Sequence, residues 1–362
     1  MPTIAETLVA LSRQAPADKA ASWDQHGLQI GDPGQIVDRI GVCHEITEQV
    51  ATRAISARIG LLITYHPLLF RPVTSLIAGR GPGGRAYRLT REGVAVAAIH
   101  TAWDAAPGGT ADSLAAALEL EEVTAFGPMS GEGHIKLVTF VPAEQVEEVA
   151  GALTAAGAGH IGNYSSCTFR SEGIGTFVPA EGAHPATGAV GALSAEKEIR
   201  LEVIATRSLE ARLVRALRAS HPYEEPPFDV YDVRANAGLA GRVGALSDPT
   251  SLQDLAAFVE NRLGAIPRVA AGKDHPVQTV AVVPGSGASM IASAADTGAE
   301  VYLTGDVSHH QAVQALDLGI AIIDAGHAAT ERPGVANLAV EVSKLGLETV
   351  DLNDDPTPWS PT

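Results

Sequence analysis

Ile320-Ala321-Ile322-Ile323-Asp324-Ala325-Gly326-His327-Ala328-Ala329-Thr330-Glu331 runs a short apolar segment straight into a histidine and, four residues later, a carboxylate. An apolar run of this length, closed by a glycine turn, has the dimensions of a buried strand. In open α/β sheets ligands gather outside the carboxyl ends of the strands. Imidazole and carboxylate together are a common pair of metal ligands. The arrangement recurs far earlier in the chain, where Val94-Ala95-Val96-Ala97-Ala98-Ile99 leads to His100 and Asp104. Two such pairs in equivalent positions point to one composite metal site.

Two further strand ends offer ionisable groups. Thr64-Tyr65-His66-Pro67 follows Leu61-Leu62-Ile63, and Asp306, His309 and His310 follow the run at 299–304. Each has a plainer reading. His66 before a proline suits a turn, and Asp104 could cap the helix that follows it. Glu331 could face the positive end of a helix over 334–345, and His309-His310 could be ordinary first-turn residues. His44 and Glu48 also lie four apart after a strand, so spacing alone separates none of these pairs. The coincidence of four strand ends is what favours a site.

Outward from these points, apolar runs at 39–43, 61–65 and 94–99 alternate with helical periodicity at 46–58, 83–92 and 108–118. A first helix over 3–13 carries a Thr3/Glu6 capping box. This alternation predicts a sheet with parallel strands and helical cover. The texture changes near Gly127-Pro128. Strands at 135–141, 163–178, 199–205 and 228–233, with helices at 143–155 and 209–220, form two β-α-β units of a ferredoxin-like split domain. The last third returns to α/β, with strands at 277–283, 299–304 and 320–324. The expected fold is therefore a split α/β domain, with a mixed sheet and helical cover, interrupted by an α+β insertion. The boundaries are 1–127, 128–236 and 237–362.

The bulk numbers agree with a folded chain. Of 362 residues, 46% are apolar and 19% charged, enough for a sizeable core. A net charge of −17 opposes non-specific binding to nucleic acid or anionic lipid. The two cysteines, Cys43 and Cys167, stand alone, which excludes a thiolate zinc cluster and leaves His, Asp and Glu as ligands. With no secretory start and no apolar run of membrane-spanning length, the expected location is cytoplasmic.

Four motifs give the chain a resemblance to the Nif-three-like family of dinuclear-metal hexameric proteins, many of whose members carry the name GTP cyclohydrolase 1 type 2 homologue. They are Trp23-Asp24-Gln25-His26-Gly27-Leu28-Gln29-Ile30-Gly31-Asp32-Pro33, Thr64-Tyr65-His66-Pro67-Leu68-Leu69-Phe70-Arg71-Pro72, His100 through Gly109, and Thr304-Gly305-Asp306 through His310 with Asp324 to Glu331. The resemblance implies two divalent ions (Zn, Fe or Mn) held by His66, His100, Asp104, His327 and Glu331, with Asp104 or Glu331 bridging. Where many members have a second histidine, this chain has Tyr65. A phenol is a poorer ligand than imidazole, so Tyr65 is expected to hydrogen-bond behind the ligands, as is His310, or to leave a coordination position open. The resemblance further implies a homohexamer, a metal-dependent hydrolase with a nucleotide as candidate substrate, and a PII/CutA-like insertion. A non-catalytic scaffold, sensor or chaperone is the alternative. His221-Pro222-Tyr223-Glu224-Glu225-Pro226-Pro227 belongs to the insertion's signature. Its flanking prolines favour a structural or inter-subunit role over a second metal site. Pro284-Gly285-Ser286-Gly287 could receive a phosphate, but a tight strand-to-helix turn explains it as well.

Overall fold

Leu61-Leu62-Ile63-Thr64 has no alternation of polar and apolar residues, and all four positions are buried. That is the mark of a strand covered on both faces. The same holds for Ala95–Ala98 and Val301–Thr304. In the computed structural model, residues 1–129, 134–161, 164–233, 238–271 and 276–353 are described. Among them the strands are β1 (Gly27–Ile30), β2 (Arg39–Cys43), β3 (Leu61–Thr64), β4 (Ala95–Ala98), β5 (Glu121–Pro128), β6 (His134–Pro142), β7 (Thr168–Phe177), β8 (Ser194–Thr206), β9 (Phe228–Val233), β10 (Leu239–Thr250), β11 (Arg268–Ala270), β12 (Val277–Val282), β13 (Val301–Thr304), β14 (Ala321–Asp324) and β15 (Glu348–Asp351).

The chain divides into two compact units, Met1–Gly131 with Ala237–Thr362, and Glu132–Asn236. The expected junction at 236/237 lies outside the described residues. The discontinuous unit holds two mixed sheets, with strand orders β1-β4-β3-β2-β15 and β11-β14-β13-β12-β10-β5. In the first, β15, β2, β3 and β4 run parallel and β1 is antiparallel. In the second, β12, β13 and β14 are parallel, and the remaining pairings are antiparallel. The first sheet buries Ile40, Val42, Leu61 and Ile63 against Trp103, Leu338 and Val342. Each such aliphatic side chain contributes about 1.5–3 kcal/mol on burial, so the strand ends are fixed by a packed core.

The continuous unit has the order β-α-β-β-α-β, with strand order β7-β8-β6-β9, all antiparallel. Its two long helices, Val146–Ala155 and Glu210–Ser220, supply Val149, Leu153, Leu213 and Leu217 to a core with Leu201 and Val203.

The last long helix departs from expectation. The helix expected over 334–345 spans His327–Ser343 instead, with Pro333 inside it. An interior proline removes one i→i−4 bond. Packing opposes that loss. At Gly334 an added Cβ would lie 2.3 Å from Thr110 Cα, so the helix crosses Thr110–Ala117 at close range. Trp103, fully buried, donates its Nε1–H to the Gly334 carbonyl at 2.9 Å. His327 and Glu331 therefore occupy one helix face at i, i+4 and not the loop ahead of a helix.

Candidate metal centre

The centre of the arrangement is Glu331, only 3% exposed. Each of its oxygens meets imidazole nitrogen. Oε2 lies 2.7 Å from His44 Nε2 and 3.1 Å from His66 Nε2, and Oε1 lies 3.1 Å from His327 Nε2. Three elements deliver these histidines. His44 follows β2, His66 follows β3, and His327 opens the helix after β14. His100 follows β4, and its ring centre lies 5.2 Å from that of His66. Carboxyl ends of parallel strands from both sheets thus converge on one carboxylate.

His44 is absent from the ligand set read from the sequence. The structure places it in a group with His66 and Glu331 whose ligand atoms all lie within 4.8 Å of one another. Its spacing partner Glu48 sits in the first turn of helix Glu48–Ser56 and pairs with Arg85 and Arg88 instead, each at 3.3 Å. Pairing by sequence distance hid His44, because its partner is 287 residues away.

A second layer aims the rings. Asp24, buried and from the Trp23-Asp24 motif, takes His100 Nδ1 at 2.6 Å with one oxygen. Its other oxygen accepts the Thr101 N–H at 3.0 Å. Asp306 holds His327 Nδ1 at 2.7 Å. A histidine whose Nδ1–H donates to a carboxylate presents its Nε2 lone pair on the opposite side, the usual arrangement of a metal-ligating imidazole. His100 (φ 34°) and Asp306 (φ 58°) both hold left-handed backbone conformations. Such strain in non-glycine residues gathers at functional sites. Asp24 and Asp306 stood in quoted motifs, and only their geometry reveals the role.

Tyr65 is buried. Its hydroxyl donates to Asp104 Oδ1 at 2.6 Å and lies 3.5 Å from Glu331 Oε1. Its ring touches those of His44, His66 and His100. Asp104 thus enters the cluster through Tyr65. His310 does not join these contacts. It is exposed on helix His309–Asp317 and its ring lies against His309. Asp324 anchors the neighbouring loop by accepting from Arg268 and from the Val307 N–H.

The charges are strongly coupled. Burial opposes the charge on Glu331, yet hydrogen bonds from His327, His44 and His66 hold it well below the usual carboxylate range. The bond to Glu331 is the main cause that raises His327 to about 9, with Asp306 adding to it against burial. Burial pushes Asp104 up to about 6, while His100 and Tyr65 pull the other way. Burial holds His66 down. It also opposes charge on His100, which Asp24 nevertheless holds above its ordinary value. Burial, then Asp104 and Glu331, keep the Tyr65 phenol well above its ordinary value, so it remains a donor.

The turn Pro284-Gly285-Ser286-Gly287 lies directly under the cluster. Gly285 has φ +65°, and a Cβ there would stand 2.3 Å from Glu331 Oε1 and 3.5 Å from His327 Nε2. Its N–H donates to Thr330 Oγ1 at 2.9 Å, and Tyr302 caps the Gly287 carbonyl. The turn makes room for Glu331.

These features define a class: a mixed α/β protein with a buried carboxylate ringed by imidazoles at the strand ends. The chain belongs to the Duf34/NIF3 (NGG1p interacting factor 3) family, which matches residues 2–358. It is 40% identical over 355 residues to a Bacillus subtilis protein named GTP cyclohydrolase 1 type 2 homolog, covering 96% of this chain and 95% of that one. The Mycobacterium tuberculosis protein of the same name is 37% identical over 341 residues, covering 91% and 88%. Among solved structures, a Bacillus cereus protein related to NIF3 superposes with a TM-score of 0.65 at 36% identity, over 99% of both chains.

Proposed function

We propose that this protein binds two divalent cations at the cluster, through His66, His100, Asp104, His327 and Glu331 with His44 as a further ligand, and acts as a metal-dependent hydrolase. The observation that carries this reading is Glu331, with imidazole nitrogen at both carboxylate oxygens. The donor set fits such ions. Nitrogen and carboxylate oxygen suit Zn, Fe or Mn, and Asp24 and Asp306 orient two of the rings as ligands require. Bound cations would supply Lewis-acid and water-activating chemistry. Around them, Tyr65 positions Asp104 by its hydroxyl, and Asp104 can exchange a proton near neutral pH. Glu331 and Asp104 would supply the carboxylate oxygens that hold the ions.

The names of the relatives make a nucleotide the first substrate class to test. The inserted unit, whose strand order is that of a ferredoxin-like split β-α-β domain, belongs in this reading to the PII/CutA type. It interrupts a Nif-three-like domain formed by 1–127 and 237–362. The assembly is a homohexamer and the location cytoplasmic. Among the described residues no helix is long and apolar enough to cross a membrane.

Turnover of nucleotides, phosphoesters and cyclic amides by protein of defined metal content tests the hydrolase step. Activity lost in Asp104→Ala is the expected result. Activity unchanged by that substitution contradicts it. Full metal occupancy with no turnover on any of these compounds would favour the scaffold or sensor reading.

A further inference from the structure

The continuous unit contains a cavity of about 590 Å³ that the metal centre does not use. Ligand pockets of about 300–1,000 Å³ are usually apolar with a few placed polar groups, and this one fits that description. Phe140, Phe177, Pro179 and Pro185 supply apolar wall. The floor is the sheet face opposite the helices. On β8, Leu201 and Val203 enter the core, so Glu198 and Arg200 project to the other side.

Glu198 is the distinctive group. It is 7% exposed, and its Oε1 accepts the Tyr223 hydroxyl at 2.8 Å. Its Oε2 has no hydrogen-bond partner among the described residues. The sequence makes room for this carboxylate: at Gly175 a Cβ would lie 2.1 Å from Glu198 Oε2. The His221-Pro222-Tyr223-Glu224-Glu225-Pro226-Pro227 segment forms one side. His221 is buried, meets the Phe140 carbonyl at 3.0 Å through Nε2 and accepts the Tyr223 N–H at 3.1 Å through Nδ1. Both of its nitrogens are used, so it fixes Tyr223 and is not free to bind a ligand.

The lining carries Glu172, Glu198, Glu224 and Glu225 against one cation, Arg200, whose Nε is already 2.8 Å from Glu202. The field is negative, the walls are apolar, and the second oxygen of Glu198 is left open to the cavity. We propose that this cavity binds a small organic ammonium compound, a primary amine on an apolar body, with the amine on Glu198. The site stands apart from the metal reading and does not depend on it.

Calorimetric titration of the full-length protein with 4-phenylbutylammonium tests the site, with 4-phenylbutanol and 4-phenylbutyrate as uncharged and anionic comparators. The expected result is saturable binding of the amine alone. Binding should fall by about tenfold or more in Glu198→Gln, since a charge-assisted hydrogen bond is lost. It should fall similarly in Ala186→Trp, which fills the cavity from its exposed wall, with both variants melting like the wild type. His327→Ala should bind the amine normally. Non-specific attraction to a chain of net charge −17 would survive both cavity substitutions, and that outcome overturns the proposal. Equal binding of all three compounds, or no saturable binding, also overturns it.

Discussion

Two buried carboxylates, Glu331 and Glu198, solve the same physical problem differently. A carboxylate removed from water needs hydrogen-bond or cationic partners. Glu331 receives them from three histidines, two of which lie 287 and 265 residues away in sequence. Glu198 receives one, from Tyr223, and turns its other oxygen toward a cavity. Over-provision of lone-pair donors marks a place that a cation can enter by displacing protons. Under-provision marks a place that a cationic ligand can complete.

The largest effect should come from Glu331→Gln. It keeps the shape and removes the charge, so affinity for Zn²⁺ in competition with a chelator should fall by more than about 100-fold, beyond what loss of an outer partner costs. Glu198→Gln should leave the same affinity unchanged. If the two variants behave alike, the distinction between the regions fails.

Asp306→Asn and Asp24→Asn come next. Each leaves the ligands in place but loosens the ring it orients, and the expected loss in metal affinity is about 10- to 100-fold. Affinity equal to wild type would mean that the rings are oriented by packing alone.

Gly285→Ala should destabilise the protein by about 1–3 kcal/mol, because a side chain at positive φ is strained and the new methyl would press on Glu331. Chemical denaturation measures this. At Gly264, which also has positive φ (65°) but has nothing within 4 Å of an added Cβ, the same substitution should cost less.

The smallest effect is on pH. In metal-free protein His327 has a raised folded value of about 9, so its contribution is fully present below its unfolded value near 6.5. That contribution disappears as pH rises through 9. Glu331 has a depressed folded value, so its contribution is present above about 4.3 and is lost as pH falls through the folded value. Melting temperature of the metal-free wild type should therefore decline from pH 6.5 to 9, and the decline should be weaker in Glu331→Gln. Parallel profiles would show that this pair does not govern the alkaline limb.

Much of this was legible in local sequence. Short uninterrupted apolar runs announced β3, β4, β13 and β14, because strands covered on both faces need no polar alternation. The residues after them, His66, His100 and His327, followed directly. Strands β1, β5, β10, β11 and β15 gave no such signal, since their burial is only partial. The last helix, expected from 334, starts at His327, because tertiary packing at Gly334 outweighs the local breaker Pro333. Spacing pairs His44 with Glu48 and leaves it out of the ligand set for a related reason: its partner Glu331 is fixed by strand order, which no fixed spacing encodes. Tyr65 could be read as a poor ligand from chemistry alone, but its bond to Asp104 required the fold.

Retention of divalent metal by the imidazole-ringed carboxylate is open to direct measurement. Elemental analysis of the purified wild type and Glu331→Gln, each equilibrated with one divalent metal and then exchanged into metal-free buffer, tests it most directly. The expected result is two ions per chain in the wild type and a marked loss in the variant. Equal metal content in the two proteins would contradict it.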